Sequence, residues 1–191
     1  MGPSFEQTAV SGLAMVLRIL VVTAIVVIAI LLYAASKPPV LVIQRTTTIH
    51  APPEKVFAFV DDFRNWPKWN PQDRDDPTLT RTYRGAPSGT GAMSDWNGKG
   101  ESGEGTMTIA ESVPYSKISV DANWDRPFQT HNVNEFDFGP ADGGTKVTWI
   151  LRATNLFVMK VMGVFTNMDK NIGVHLEAGL ANLKGFTERG K

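Results

Sequence analysis

Histidine and cysteine are frequent nucleophiles, general bases and metal ligands in proteins, and this chain offers few of them. Its 191 residues include no cysteine and three histidines, His50, His131 and His175. Thiolate zinc sites, disulfides and cysteine nucleophiles are therefore excluded. The histidines lie far apart in the sequence and none belongs to an HExxH motif, so we expect no metal site and no cofactor.

Two pairs of adjacent aspartates, Asp61-Asp62 and Asp75-Asp76, are further candidates for acid–base chemistry. They fall beside predicted helix ends and turns, where a carboxylate usually caps backbone N–H groups. The segment Gly103-Glu104-Gly105 lacks the strand-to-helix context of a phosphate loop and is predicted to form a strand entry or a bulge. The sequence thus carries no recognised catalytic arrangement and leaves open whether the protein is an enzyme.

Polar residues on the inward faces of predicted strands are more informative. Alternation that turns Phe136 and Phe138 inward also turns Asn134 and Asn132 inward, which predicts a polar wall in an apolar interior. By the same reasoning Arg45 shares a strand face with Ile43 and Ile49, although a position at the strand edge is an alternative. The predicted ligand-binding residues are Arg45, Trp96, Trp124, Asn132, Asn134, Trp149, Met168 and His175. Ordinary core packing is the alternative for each tryptophan, and a surface position for His175.

The elements that would position these residues follow a long apolar run. A helix over Leu13 to Ala35, in which Arg18 is the only charge, would reach about 34 Å and span a membrane. A cleaved signal peptide ending near Ala34-Ala35-Ser36 is the alternative. If Arg18 lies inside the membrane the flanking charges favour a cytoplasmic C-terminal domain, and if Arg18 marks the inner border the domain lies outside. We therefore predict a single-pass membrane protein with either orientation.

Lys37-Pro38-Pro39 ends the apolar run, because paired prolines cannot continue a helix. A strand from Val40 to His50 follows, and then a helix that begins at Ala51-Pro52-Pro53-Glu54. The predicted organisation is an N-terminal tail over 1–12, a transmembrane helix over 13–35, a linker over 36–41 and a ligand-binding domain over 42–189.

Short alternating runs separated by turn residues fill the region between Leu79 and Ala153, and they predict six consecutive antiparallel strands. A helix of at least about 20 residues follows, with apolar positions spaced by three or four. Gly173 and Gly179 inside it are predicted to allow close packing or to leave room for something else. Its apolar positions are Phe165, Met168, Ile172, Leu176, Gly179, Leu183 and Phe186.

This order of elements, together with several local motifs, resembles the SRPBCC superfamily. That superfamily includes START lipid-transfer domains, birch-pollen-allergen-like proteins and the polyketide cyclase/dehydrase group. The resemblance implies an α+β helix-grip fold, in which a curved antiparallel sheet of about seven strands wraps a long C-terminal helix and encloses a cavity. The matching residues are Gln44 to Phe57, Asn65-Trp66-Pro67-Lys68-Trp69-Asn70-Pro71, Gly103-Glu104-Gly105 with Met107 and Ile109, Thr145 to Trp149, and Leu176 to Lys184.

Two functions are compatible with such a cavity. The first is a membrane-anchored module that binds a hydrophobic small molecule or a lipid. The second is a cyclase-like enzyme in which Arg45, Asn132, Asn134 or His175 orients a polyketone or steadies an enolate. The equal numbers of basic and acidic residues, 19 of each, give no electrostatic reason to expect nucleic acid as a partner.

Two further segments lead to specific expectations. Trp66 and Trp69 are expected to pack between short helices and the sheet rather than face water. Leu156 to Phe165, in which Lys160 is the only charge, is either buried against the sheet or forms a cavity entrance that dips into the bilayer.

Overall fold

The computed structural model describes residues 5–99 and 102–189. The chain divides into two compact units. The smaller unit combines Met1–Pro39 with Asn155–Asn167, and the larger one combines Val40–Thr154 with Met168–Lys191. The segment 155–167, which the sequence places in the ligand-binding domain, therefore clusters with the N-terminal helix instead.

The smaller unit contains α1 (Phe5–Ser36) and α5 (Phe157–Phe165). The most apolar stretch of Leu13–Ser36 has a mean hydropathy of 3.0 and is not buried, so this helix is long and apolar enough to be a membrane span or a signal sequence. Because α1 begins at Phe5, it includes most of the segment predicted as a tail, and residues 1–4 of that tail lie outside the described residues.

The larger unit is built on one seven-stranded antiparallel sheet, as the sequence predicts. The strands are β1 (Val40–Ile49), β2 (Thr80–Gly85), β3 (Ala92–Asn97), β4 (Glu104–Val113), β5 (Lys117–Arg126), β6 (Thr130–Ala141) and β7 (Gly144–Thr154). The sheet is curved, and its strand order is β1-β7-β6-β5-β4-β3-β2, so that six strands form a meander and the first strand joins beside the last. The strand entry or bulge predicted at Gly103-Glu104-Gly105 coincides with the start of β4, where the pairing with β5 shifts register between Glu104 and Gly105.

Short helices connect β1 to β2. They are α2 (Pro53–Asp61), a 3-10 turn (Phe63–Asn65), α3 (Trp66–Trp69) and α4 (Pro71–Asp75). Prolines stand in the first turns of α2, α3 and α4, where a missing N–H costs nothing. The capping role predicted for one aspartate pair is confirmed, since Asp62 accepts a hydrogen bond from the Arg64 N–H at 2.9 Å.

Both tryptophans of α3 are buried, as predicted. Each ring lies with its centroid 6.1 Å from that of Phe136 on β6, in an edge-on arrangement. The indole N–H of Trp66 donates to the Val60 carbonyl at 2.9 Å, and that of Trp69 donates to the Phe59 carbonyl at 3.0 Å. The short helices are thereby fixed over one face of the sheet.

The C-terminal helix α6 (Met168–Glu188) buries Leu176, Leu180 and Leu183 against the core. The close packing predicted at its two glycines is confirmed. A methyl group on Gly179 would lie 2.6 Å from the Trp149 ring, and one on Gly173 would collide with the Arg45 guanidinium. Glycine at these positions lets β7 and β1 side chains reach the helix backbone.

Candidate ligand cavity

A cavity of about 700 Å³ lies within the larger unit. Strands β4 to β7 supply one wall, α6 a second, and the segment from α3 to Asp76 a third. This volume is in the range of pockets that hold drug-sized ligands. The apolar lining residues are Trp66, Pro71, Met107, Ala122, Trp124, Trp149, Leu151, Ile172 and Leu176.

Five of the predicted ligand-binding residues line this cavity: Trp124, Asn132, Asn134, Trp149 and His175. The other three, Arg45, Trp96 and Met168, do not belong to its lining. Strand alternation brings the first group together, because Asn132 pairs across the sheet with Ala122, and Asn134 with Leu151. A ligand-binding role for these five stays a prediction.

Asn132 and Asn134 each accept a hydrogen bond from a tryptophan that lines the same cavity. The Trp149 indole N–H donates to Asn134 Oδ1 at 3.0 Å. With the Asn132 amide oriented to satisfy both of its ends, its oxygen accepts from the Trp124 indole N–H at 3.2 Å and its nitrogen donates to the His131 carbonyl. These bonds orient two aromatic walls without leaving their N–H groups unpaired.

Asn134 also presents a donor to the cavity. The residue is 9% exposed, yet no described residue accepts a hydrogen bond from its amide nitrogen. Because Asn134 lines the cavity, its amide nitrogen can donate to a carbonyl or hydroxyl oxygen of a ligand there. The side chain is therefore suited to fix the polar end of a mostly apolar ligand.

The third wall carries polar groups that strand alternation does not predict. Asn70 caps α4 by accepting from the Gln72 N–H at 3.3 Å, and the Gln72 side chain donates to the Ser102 carbonyl at 3.1 Å. The nearby Ser102 hydroxyl and two hydrogen bonds from Thr78 to Asp76 Oδ1 lower the pKa of Asp76 below its ordinary value, so Asp76 stays ionised at neutral pH. No described residue donates a hydrogen bond to the buried Asp76 Oδ2. Asp75 and Lys99 complete this polar side. The only sequence signal for it was the Asp75-Asp76 pair.

Trp96 acts behind the cavity rather than in its lining. It is buried, its ring centroid lies 5.0 Å from that of Trp124, and its indole N–H donates to the Ser102 carbonyl at 3.0 Å. Ordinary core packing, the alternative for each tryptophan, therefore describes Trp96. Its ring contacts the ring of Trp124, which lines the cavity.

Arg45 joins β1 to α6. Its Nε donates to Glu177 Oε1 at 2.6 Å, and its Nη2 donates to Asp169 Oδ2 at 3.0 Å and to the Asp169 carbonyl at 3.0 Å. These two carboxylates raise the pKa of Arg45, and Arg45 lowers the pKa of Asp169. Because β1 is an edge strand, the strand-edge alternative describes Arg45.

This ion pair predicts a pH-dependent difference between the parent protein and the Asp169→Asn variant. The ordinary pKa of the Asp169 carboxyl, 3.8, is lowered in the folded state. Its stabilising contribution is therefore present above pH 3.8 and is lost as the pH falls through the lower folded-state pKa. Denaturant melts should show the variant less stable than the parent above that window, with the difference shrinking below it. A difference that grew with acidification would contradict this account.

His175 lies at the exposed edge of the cavity on α6. It makes no hydrogen bond or ion pair with another described residue, so nothing described orients its ring as an acid–base catalyst requires.

Within residues 5–99 and 102–189, no group of three His, Asp or Glu side chains could hold a metal ion.

A family model described as "Polyketide cyclase / dehydrase and lipid transport" matches residues 41–185, which is most of the sequence. The chain belongs to this family. Its membership agrees with the helix-grip order of strands and with the cavity between the sheet and α6. The name covers both enzymes and lipid carriers, so it does not choose between the two functions.

Solved structures show the same fold at low sequence identity. A protein from Chromobacterium violaceum is 14% identical, with a TM-score of 0.55 and coverage of 80% of this chain and 99% of the other. The di-domain ARO/CYC StfQ of the steffimycin biosynthetic pathway is 14% identical, with a TM-score of 0.60 and coverage of 78% and 51%. Ara h 8.0201 is 16% identical, with a TM-score of 0.54 and coverage of 78% and 97%. No curated protein sequence matches the chain.

Proposed function

We propose that this family member is a membrane-anchored binding protein that holds a hydrophobic small molecule or a lipid between its sheet and α6. The observation that carries the proposal is the cavity of about 700 Å³, whose walls are mainly aromatic and aliphatic side chains. Apolar ligands gain free energy in proportion to the apolar area they remove from water, and a few polar groups then set their orientation.

An uncleaved anchor fits the smaller unit better than a signal peptide does. Ala34 is buried in the last turns of α1, and Lys37 Nζ donates to the Gly163 carbonyl of α5. Cleavage near Ala35 would remove the helix against which α5 packs. The exposed apolar surface of Leu13–Ser36 then requires a bilayer around it.

A cyclase or dehydrase activity is the second candidate, supported by the family description and by the amide donor of Asn134. Such an enzyme needs polar groups that act together on one reacting atom. Asn132 is already engaged by Trp124 and His131, and His175 has no described partner that would orient it. The chemistry in the cavity therefore favours binding over turnover.

Filling the cavity tests the binding function. Ala122 lines it and is buried on β5, so Ala122→Phe should occupy the ligand volume. The adjacent Asn123→Phe, on the exposed opposite face of the same strand, is a matched control. The full chain is purified from cells in native lipid particles for mass spectrometry. We expect a molecule that is enriched in the parent and in the Asn123→Phe variant and depleted in the Ala122→Phe variant.

Equal retention in all three proteins would argue against the cavity as the binding site, and no enrichment in any of them would argue against binding. Near-UV circular dichroism of each variant controls for folding. Incubating the parent with the identified molecule separates the two functions, because a change in the ligand's mass or in its chromatographic retention that the Ala122→Phe variant does not produce would favour the enzyme.

A further inference from the structure

The smaller unit contains an apolar surface that neither proposed function uses. Four large apolar side chains of α5, Phe157, Val158, Met162 and Phe165, are between 47% and 70% exposed. At about 100° per residue they fall within an arc of about 140° on one side of the helix. No residue of α5 is buried, so the alternative of burial against the sheet does not describe this segment.

The position of α5 along α1 indicates how deep the apolar surface of α5 would lie in a membrane. In the last two turns of α1 the shielded side chains are Ile30 and Ala34, on the same face as Lys37. Lys37 Nζ donates to the Gly163 carbonyl and also lies 5.4 Å from the centre of the Tyr33 ring. Tyrosine and lysine at the end of an apolar helix typically mark the boundary between acyl chains and headgroups. The helix α5 therefore packs beside α1 at the level of that boundary.

Two connections hold α5 at this place. The Asn155 N–H donates to the Pro39 carbonyl at 2.9 Å, and the Asn155 side chain donates to the Pro38 carbonyl at 3.0 Å. The chain that enters α5 is thus tied to the chain that leaves α1. The exposed apolar arc of α5 consequently stays next to the exposed apolar surface of α1.

Charge is consistent with a lipid surface. Within residues 13–39 and 155–167 the ionisable side chains of Lys, Arg, Asp and Glu are limited to Arg18, Lys37 and Lys160, all of them basic. Anionic headgroups attract basic residues near the membrane surface. A helix with one apolar arc and a basic residue on its other side is typical of helices that lie in the interface plane.

We propose that α5 is an interfacial membrane helix, with the arc formed by Phe157, Val158, Met162 and Phe165 inserted at the acyl–headgroup boundary beside α1. This proposal rests on the proposed function, since it requires α1 to span the bilayer. The protein would then contact the membrane through two elements, a spanning helix and a helix lying in one leaflet.

Depth-dependent fluorescence quenching tests the proposal in the full chain. Because the sequence has no cysteine, single cysteines can carry an environment-sensitive fluorophore at chosen sites. The sites are Met162→Cys on the arc, Leu20→Cys in α1 and, as an exposed helical control, Val174→Cys on α6. The protein is reconstituted in phosphatidylcholine–phosphatidylglycerol vesicles with nitroxide lipids labelled either near the headgroup or near the acyl end.

We expect the label at position 162 to be quenched more by the shallow nitroxide than by the deep one, the label at position 20 to show the reverse, and the label at position 174 to be quenched by neither. Quenching at position 20 with none at position 162 would overturn the interfacial helix and leave the anchor in place. No quenching at position 20 would overturn the anchor and this proposal together. Equal quenching at positions 162 and 174 would overturn the assignment to α5.

A second measurement asks whether the apolar arc causes the contact. Phe157→Asp combined with Phe165→Asp changes two exposed side chains, so the fold should persist. The double variant should show less quenching of the label at position 162, whereas Val174→Asp should leave that quenching unchanged. Unchanged quenching in the double variant would overturn the proposed role of the arc.

Discussion

Asp73→Ala is expected to lower the free energy of unfolding by about 3–5 kcal/mol, because it leaves a buried guanidinium without its counter-ion. Arg81 on β2 and Asp73 on α4 have side chains only 4% and 3% exposed. Arg81 binds both carboxylate oxygens, with Nη2 to Oδ2 at 2.8 Å, and its Nη1 donates to the buried Ser94 hydroxyl at 3.1 Å. The pair fixes α4, and with it one wall of the cavity, to the edge of the sheet.

The control lies on the same strand. Arg84 also binds an aspartate, Asp95, through two nitrogens, but the side chains are 50% and 33% exposed. Arg84→Ala should cost no more than about 1 kcal/mol, because solvent screens such a pair. Urea melts of the full chain in mild detergent compare the two. Similar losses would contradict the account, and Asp73→Leu with Arg81→Met should recover part of the loss by replacing both charges with apolar groups.

The second large effect is expected for Trp66→Ala, which should lower the free energy of unfolding by about 3–5 kcal/mol. The ring is 1% exposed and lies with its centroid 5.1 Å from that of Phe63 and 5.0 Å from that of Trp69. Truncation removes these contacts and leaves the Val60 carbonyl without its indole donor. Because Trp66 also lines the cavity, the vacated volume joins the cavity.

Trp124→Ala provides the comparison, since the Trp124 ring lines the same cavity but is only half-buried. Its loss should be clearly smaller than that of Trp66→Ala in the same melts. A Trp66→Ala loss below about 1 kcal/mol would mean that the ring does not support the core as its burial indicates.

Period-two alternation and turn residues predicted the sheet, because each strand buries one face and the pattern is local. The same alternation placed Asn132 and Asn134 at the cavity, since both follow the direction of Phe136 on β6. Burial of Trp66 and Trp69 followed from their size and from the prolines around them. These features depend on residues that are close together in the sequence.

Features that depend on distant partners escaped prediction. Alternation predicts that Arg45 points inward, but it does not predict the ion pairs that Arg45 forms with Asp169 and Glu177 on α6. The polar groups of the third cavity wall, Asn70, Gln72 and Asp76, depend on loop geometry rather than on a periodic pattern. The position of α5 beside α1 depends on chain connections at Pro39 and Asn155, which hydropathy does not encode.

The strand order has a consequence for synthesis. Strands β2 to β7 pair with their sequence neighbours, whereas Val40 of β1 pairs with Thr154 of β7. Local pairs form quickly and distant pairs slowly, and chains emerge from the ribosome N-terminus first. We therefore expect the meander to assemble while β1, made earlier than every other strand, waits as an unpaired edge. Such an edge is a template for wrong pairing, so nascent chains that stall before β7 should be the aggregation-prone species.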